Sequence, residues 1–131
     1  MTDDRSTYRW TGRVALITGA SGGIGRALAL ALAQRGCALA LVDRDATGLQ
    51  ATAAEAAAGL VTISTHALDV TDRAALAALP AAVVAEHGRL DLLVNNAGVA
   101  LGGSFEQVSE ADFDWLLDIN FHAVVRLTRA C

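Results

Sequence analysis

The sequence predicts an α/β fold, a doubly wound parallel sheet of about four strands with helices packed on both faces. Three observations carry this prediction. Short continuous apolar runs alternate with longer segments rich in alanine and leucine, the pattern of buried strands alternating with helices. A glycine-rich turn follows the first apolar run, where such a fold passes from strand to helix. Glycines follow two of the helical segments, and Asp, Thr or Ser precede three of them, as helix ends require. The resulting β-α-β-α order implies parallel strands joined by right-handed crossovers.

Taken in order, residues 14–18 form the first strand, apolar at nearly every position. Residues 24–35 form the first helix, stopped at Gly36. Residues 38–42 are the second strand, and Asp45 caps a helix reaching about residue 58. The third strand, 60–68, contains β-branched Val61, Thr62, Ile63 and Thr65. Thr71 or Asp72 caps a helix that reaches His87, with a kink expected at Pro80 and Gly88 closing it. Residues 91–95 read as a fourth strand, of the kind buried at the centre of a sheet. Ser109 caps a last helix that runs to the end of the chain. Its Phe113, Leu116, Leu117, Ile119, Phe121, Val124 and Leu127 are apolar on more than one face, which predicts a homo-oligomer through helix 109–131.

Composition bounds the function. The chain has 131 residues, 53% of them hydrophobic and 18% charged, which excludes disorder as the dominant state. A net charge of −4 argues against a nucleic-acid partner, whose binding rests on a basic surface. Cys37 and Cys131 make no disulfide framework. The apolar stretch 27–42 is interrupted by Gln34 and Arg35 and is too short to span a membrane, while the polar tail 1–9 does not resemble a secretion signal. A soluble, cytoplasmic protein with no membrane partner is therefore expected. His66, His87 and His122 lie far apart without metal-ligand spacing, so no metal site is expected. All ten basic residues are arginines, and Tyr8 is the only tyrosine.

The chemistry concentrates at three places. In the turn Thr18-Gly-Ala-Ser-Gly-Gly-Ile-Gly25, Gly19, Gly23 and Gly25 allow a tight bend and close approach of backbone to a pyrophosphate. The N–H groups opening the next helix then face that anion. Asp43, at the end of the second strand, is placed to accept hydrogen bonds from the adenosine ribose hydroxyls, which selects NAD. Its charge would repel a 2′-phosphate by about 1–4 kcal/mol. Arg44 supplies the contrary argument, because a guanidinium there can pair with the phosphate of NADP. NAD is the expected cofactor and NADP the less favoured one.

Spacing and company identify a resemblance. The G-x-x-x-G-x-G turn after Thr18, Asp69-Val70 after the third strand, Asn95-Asn96-Ala97-Gly98 after the fourth, and Asn120 in the last helix together resemble the core-length branch of the short-chain dehydrogenase/reductase family. The resemblance implies a Rossmann-type domain, incomplete here, in which residues 10–131 are the N-terminal portion of an NAD(P)-binding unit of about 250 residues. It implies that Ser21 and Ile24 meet the phosphates and neighbouring ribose, and that Asp69 and the Val70 backbone read adenine. Asn96 would tie the fourth strand to the first, and Ala97 and Gly98 would leave room for a ribose. Asn120 would be the catalytic asparagine that positions a proton-relay water. The family's serine and its Y-x-x-x-K pair would follow Cys131. The resemblance thus implies an oxidoreductase moving a hydride between NAD and an alcohol or ketone, with this stretch inactive alone. The alternative is a non-catalytic dinucleotide-binding or oligomerisation module.

Overall fold

The computed structural model describes residues 8–131, so most of the expected polar tail lies outside the described residues. Four parallel strands, β1 (Val14–Thr18), β2 (Ala38–Asp43), β3 (Ile63–Ala67) and β4 (Leu92–Val94), form one sheet in the order β3-β2-β1-β4. Between and after them run α1 (Gly23–Ala33), α2 (Ala46–Ala56), α3 (Arg73–His87), α4 (Glu110–Leu117) and α5 (Ala123–Ala130).

Alternation along the strands divides the core in two. Ala15, Ile17, Leu39 and Leu41 face α1 and α2, meeting Ala29, Leu32, Leu49 and Ala56. Val14, Leu16, Ala40 and Val42 face the other way, onto Leu76, Leu79 and Val83 of α3 and Ala123 and Leu127 of α5. Both faces of β1 and β2 are therefore covered, which is why those strands are apolar throughout.

Several elements differ from the sequence reading. The third strand starts only at Ile63, because the chain first makes a short 3-10 turn at Ala57–Gly59 and passes through Leu60 with φ 56. The fourth strand is only three residues long and half-buried; it lies at the edge of the four-stranded sheet, as a central-type strand does in an incomplete domain. Helix α3 runs through Pro80 without interruption, the ring being buried with Leu76, Leu79 and Val83. The last helix is not regular: a π-helical turn, Asp118–His122, separates α4 from α5, with the Ala123 N–H bonded to the Asp118 carbonyl. A one-residue insertion of this kind leaves no trace in the 3.6-residue periodicity of so short a segment.

Two of the histidines, remote in sequence, share one hydroxyl. The Ser64 hydroxyl lies 2.9 Å from His66 Nε2 and 2.8 Å from His87 Nε2, joining β3 to the end of α3. Burial lowers the His66 pKa below 6.5 against the opposing pull of Glu86, and His87 adds to the lowering. The expectation of no metal site is a separate matter, and no group of three or more His, Cys, Asp or Glu able to hold an ion occurs among the described residues.

Candidate functional site

With β1 central, the chain leaves it in one direction for β2 and β3 and returns on its other side as β4. Open α/β sheets bind ligands at such a reversal, outside the carboxyl ends of the strands. A cleft of about 180 Å³ lies there, lined by Gly19 after β1, Asp43 and Arg44 at the end of β2, Leu68, Asp69 and Val70 after β3, and Ala97, Gly98 and Val99 after β4. Ile119, from the π-helical turn, closes it.

The glycine turn is shaped by contacts that exclude side chains. Gly19 has φ 66, a left-handed conformation, and a Cβ on it would lie 2.9 Å from Asn96 Nδ2. A Cβ on Gly25 would lie 2.2 Å from the Gly19 carbonyl oxygen, so α1 packs on the turn through bare backbone. Helices α2, α3 and α4 are capped by Asp45, Asp72 and Ser109, whose side chains each accept from a first-turn N–H. Helix α1 is preceded by Gly22 and has no side-chain cap. Its orphan N–H groups and the positive end of its dipole are thus left for an anion, beside the exposed Ile24 side chain.

Strand β4 is fastened to β1 at both ends. At the cleft end, the buried Thr18 hydroxyl accepts from Asn96 N at 3.1 Å and Ala97 N at 3.0 Å. Asn96 Nδ2 donates to the Gly19 carbonyl at 3.2 Å. At the other end, Asp91 accepts from Val14 N at 3.0 Å and pairs with Arg13 and Arg89. The Arg89 hydrogen bond is the largest influence on Asp91; with help from Val14 N–H and Arg13 it outweighs burial and holds the carboxyl at about 2. Asn95, read as structural, donates to Thr128 of α5 at 3.1 Å.

The remaining residues fall around this frame. Asp43 accepts from the Ser21 backbone at 3.2 Å and the Ser21 hydroxyl at 2.8 Å. Asp69 Oδ1 accepts from the Thr71 backbone and hydroxyl, at 2.9 and 2.8 Å, in a turn at the cleft rim. Asn120 sits in the π-helical turn, where its side chain accepts from Val99 N at 2.8 Å and donates to Val99 O at 2.7 Å. Asp118, in the same turn, pairs with Arg126 at 3.0 Å, and that bond lowers its pKa. The cleft therefore gathers Gly19, Asp43, Arg44, Asp69, Val70, Ala97 and Gly98, while Asn96 and Asn120 act on its walls from behind. Sequence reasoning missed Leu68, Val99 and Ile119, which carry no motif chemistry and reach the cleft only through tertiary placement.

The model of the short chain dehydrogenase family matches residues 13–131. The chain belongs to that family. Among curated relatives, a D-threitol dehydrogenase of Mycolicibacterium smegmatis is 42% identical over 123 residues, covering 94% of this chain and 47% of that protein. A metagenomic short-chain oxidoreductase solved with NADP aligns with TM-score 0.88 and 41% identity, covering 93% of this chain and 56% of that one. A short-chain dehydrogenase from Mycobacterium paratuberculosis solved with NAD aligns with TM-score 0.88 and 31% identity, covering 93% and 50%. This dehydrogenase-family chain spans about half the length of the relatives it matches. Its fold is that of these Rossmann domains, and no helix among the described residues is long and apolar enough to cross a membrane.

Proposed function

We propose that the cleft at the carboxyl ends of the strands binds a nicotinamide dinucleotide, NAD in preference to NADP. In this reading, residues 10–131 are the cofactor-binding part of an oxidoreductase acting on an alcohol or ketone. The observation that carries it is the pairing of the uncapped α1 N-terminus with Asp43 at the neighbouring strand end. The first suits a pyrophosphate and the second a ribose diol, at the places a dinucleotide fold puts them. Arg44, which lines the same cleft, supports the NADP alternative.

The dinucleotide, when bound, supplies the hydride donor or acceptor. The chain's own residues bind and orient it. Gly19, Gly23 and Gly25 keep the turn open to the phosphates, with Ser21 and Ile24 beside them. Asp69 and the Val70 backbone face the adenine, and Ala97 and Gly98 leave space for the second ribose. Asn120 fixes the Val99 backbone next to that space.

A second reading is a non-catalytic dinucleotide-binding or oligomerisation module. The sequence contains no lysine, and Tyr8 packs edge-to-face on Trp10, ring centroids 4.6 Å apart, before β1 begins, at the end of the sheet away from the cleft. The described residues thus bring no tyrosine–lysine acid/base pair to the cleft, a term worth about 10²–10⁴-fold in rate. We therefore expect this 131-residue chain to bind NAD without turning over. Calorimetric titration with NAD tests the first part, and the absence of any binding heat refutes it. NAD-dependent oxidation of simple secondary alcohols well above background refutes the second. Exposed Leu117, Phe121 and Val125, each four residues from the next, support self-association through 109–131, and a monomer in sedimentation would count against it.

A further inference from the structure

We infer that Ser21, seated against the first turn of α2, is a positioning residue that holds Asp43 to read the ribose 2′ position and so sets NAD over NADP. This rests on the dinucleotide assignment of the cleft. An ionised carboxylate offers about four acceptor sites. In Asp43 three of them are taken by the protein: Oδ2 accepts from Ser21 N and Ser21 Oγ, and Oδ1 accepts from Asp45 N at 3.1 Å. The carboxylate is thereby fixed in orientation, with its remaining site on Oδ1, and a 2′-hydroxyl is the donor that completes it. A 2′-phosphate brings only acceptors and negative charge to the same place.

A loosely held Asp43 would behave differently. Arg44 follows it directly and lines the same cleft, yet the two make no ion pair among the described residues. Freed from Ser21, the carboxylate could turn toward that guanidinium or toward water, weakening both the attraction for a hydroxyl and the repulsion of a phosphate.

The seat for Ser21 is built by α2. A Cβ on Gly48 would lie 2.6 Å from Ser21 Cβ and 2.5 Å from Asp45 Oδ2, so only glycine lets the helix approach this closely. One turn on, the fully buried Thr52 hydroxyl donates to the Ala20 carbonyl at 2.9 Å, fastening the residue before Ser21. The hydroxyl of Ser21 is thus held on the side chain that discriminates the cofactors.

The test is calorimetric titration of the full chain with NAD and with NADP, for wild type, Ser21→Ala, Asp43→Asn and the double variant. The ratio of the NADP to the NAD dissociation constant is expected to fall about three- to tenfold in Ser21→Ala, the size of one ordinary hydrogen bond, because the Asp43 charge itself remains. In the Asp43→Asn background the same change is expected to leave the ratio within about twofold, because Ser21 acts through Asp43. Gly48→Ala, which keeps the hydroxyl but displaces Ser21, is expected to lower the ratio as well; it serves as the second variant should Ser21→Ala fail to fold. Equal weakening of both cofactors would mean that Ser21 only shapes the turn, and would overturn the inference. So would an effect that persists undiminished without the Asp43 charge. Failure of the wild type to bind either dinucleotide would instead refute the assignment of the cleft, and this inference with it.

Discussion

Replacing Thr18 by valine isolates the fastening of β4 to β1. The two side chains have nearly the same shape, so the packing of a residue only 2% exposed is retained while its hydroxyl is lost. That hydroxyl accepts from Asn96 N and Ala97 N and reaches the Val94 carbonyl at 3.4 Å. Asn96 N keeps the Val94 carbonyl at 3.0 Å, so only Ala97 N is left without an acceptor, and a buried unsatisfied group costs about 1–3 kcal/mol. Asn96 and Ala97 are half-buried, so water recovers part of this. The expected destabilisation is therefore about 1.5–3 kcal/mol, one unsatisfied donor together with the lost bonds to Asn96 N and the Val94 carbonyl. Urea unfolding followed by circular dichroism measures it as a fall in midpoint with unchanged slope. Thr18→Ser, which keeps the hydroxyl but loses a methyl, serves as control and should lose about 1 kcal/mol. A Thr18→Val loss no greater than that of the serine variant would refute the reasoning, showing that the Ala97 N–H does not depend on this oxygen.

Other consequences follow from particular contacts. Gly25→Ala drives a Cβ against the Gly19 carbonyl, so NAD affinity should fall at least about tenfold, with about 1–3 kcal/mol of stability lost; titration and thermal unfolding measure the two. The His66 pKa is lowered in the folded chain, so the unfolded chain binds the extra proton first and stability falls as pH drops below 6.5. Unfolding midpoints at pH 7.5 and 5.5 test this, and His66→Gln should flatten the difference. Asp91, at about 2 against an ordinary 3.8, contributes stability above pH 3.8 that is lost as pH falls from there toward 2. An acid titration of the unfolding midpoint should lose that limb in Asp91→Asn, which will also be less stable at neutral pH.

How much of this was legible in the residues varies by scale. Continuous apolar runs in β1 and β2 announced strands covered on both faces, but for that very reason hid which residues face which helices. Only the folded sheet assigns Ala15 and Ile17 to α1 and α2, and Val14 and Leu16 to α3 and α5. The fourth strand was read two residues too long: its polar ends, Asp91 and Asn95, lie outside the three residues paired with β1, and their side chains turn to Val14 N and Thr128. Spacing also says nothing of how His66 and His87, remote in sequence, come to share the Ser64 hydroxyl between β3 and the end of α3.

At the cleft, the division has a physical basis. Sequence alone determined the strand-to-helix glycine turn, the acidic residue ending β2, the Asn-Asn-Ala-Gly segment and the absence of lysine, because each depends on residue type at a local position. Tertiary structure decided that Thr18 fastens β4, that Asn120 lies in a π-helical turn bonded to Val99, and that Ser21 and Gly48 hold Asp43. Those are contacts between elements distant in the chain. They follow from how strands align and helices settle on them, which no local pattern encodes.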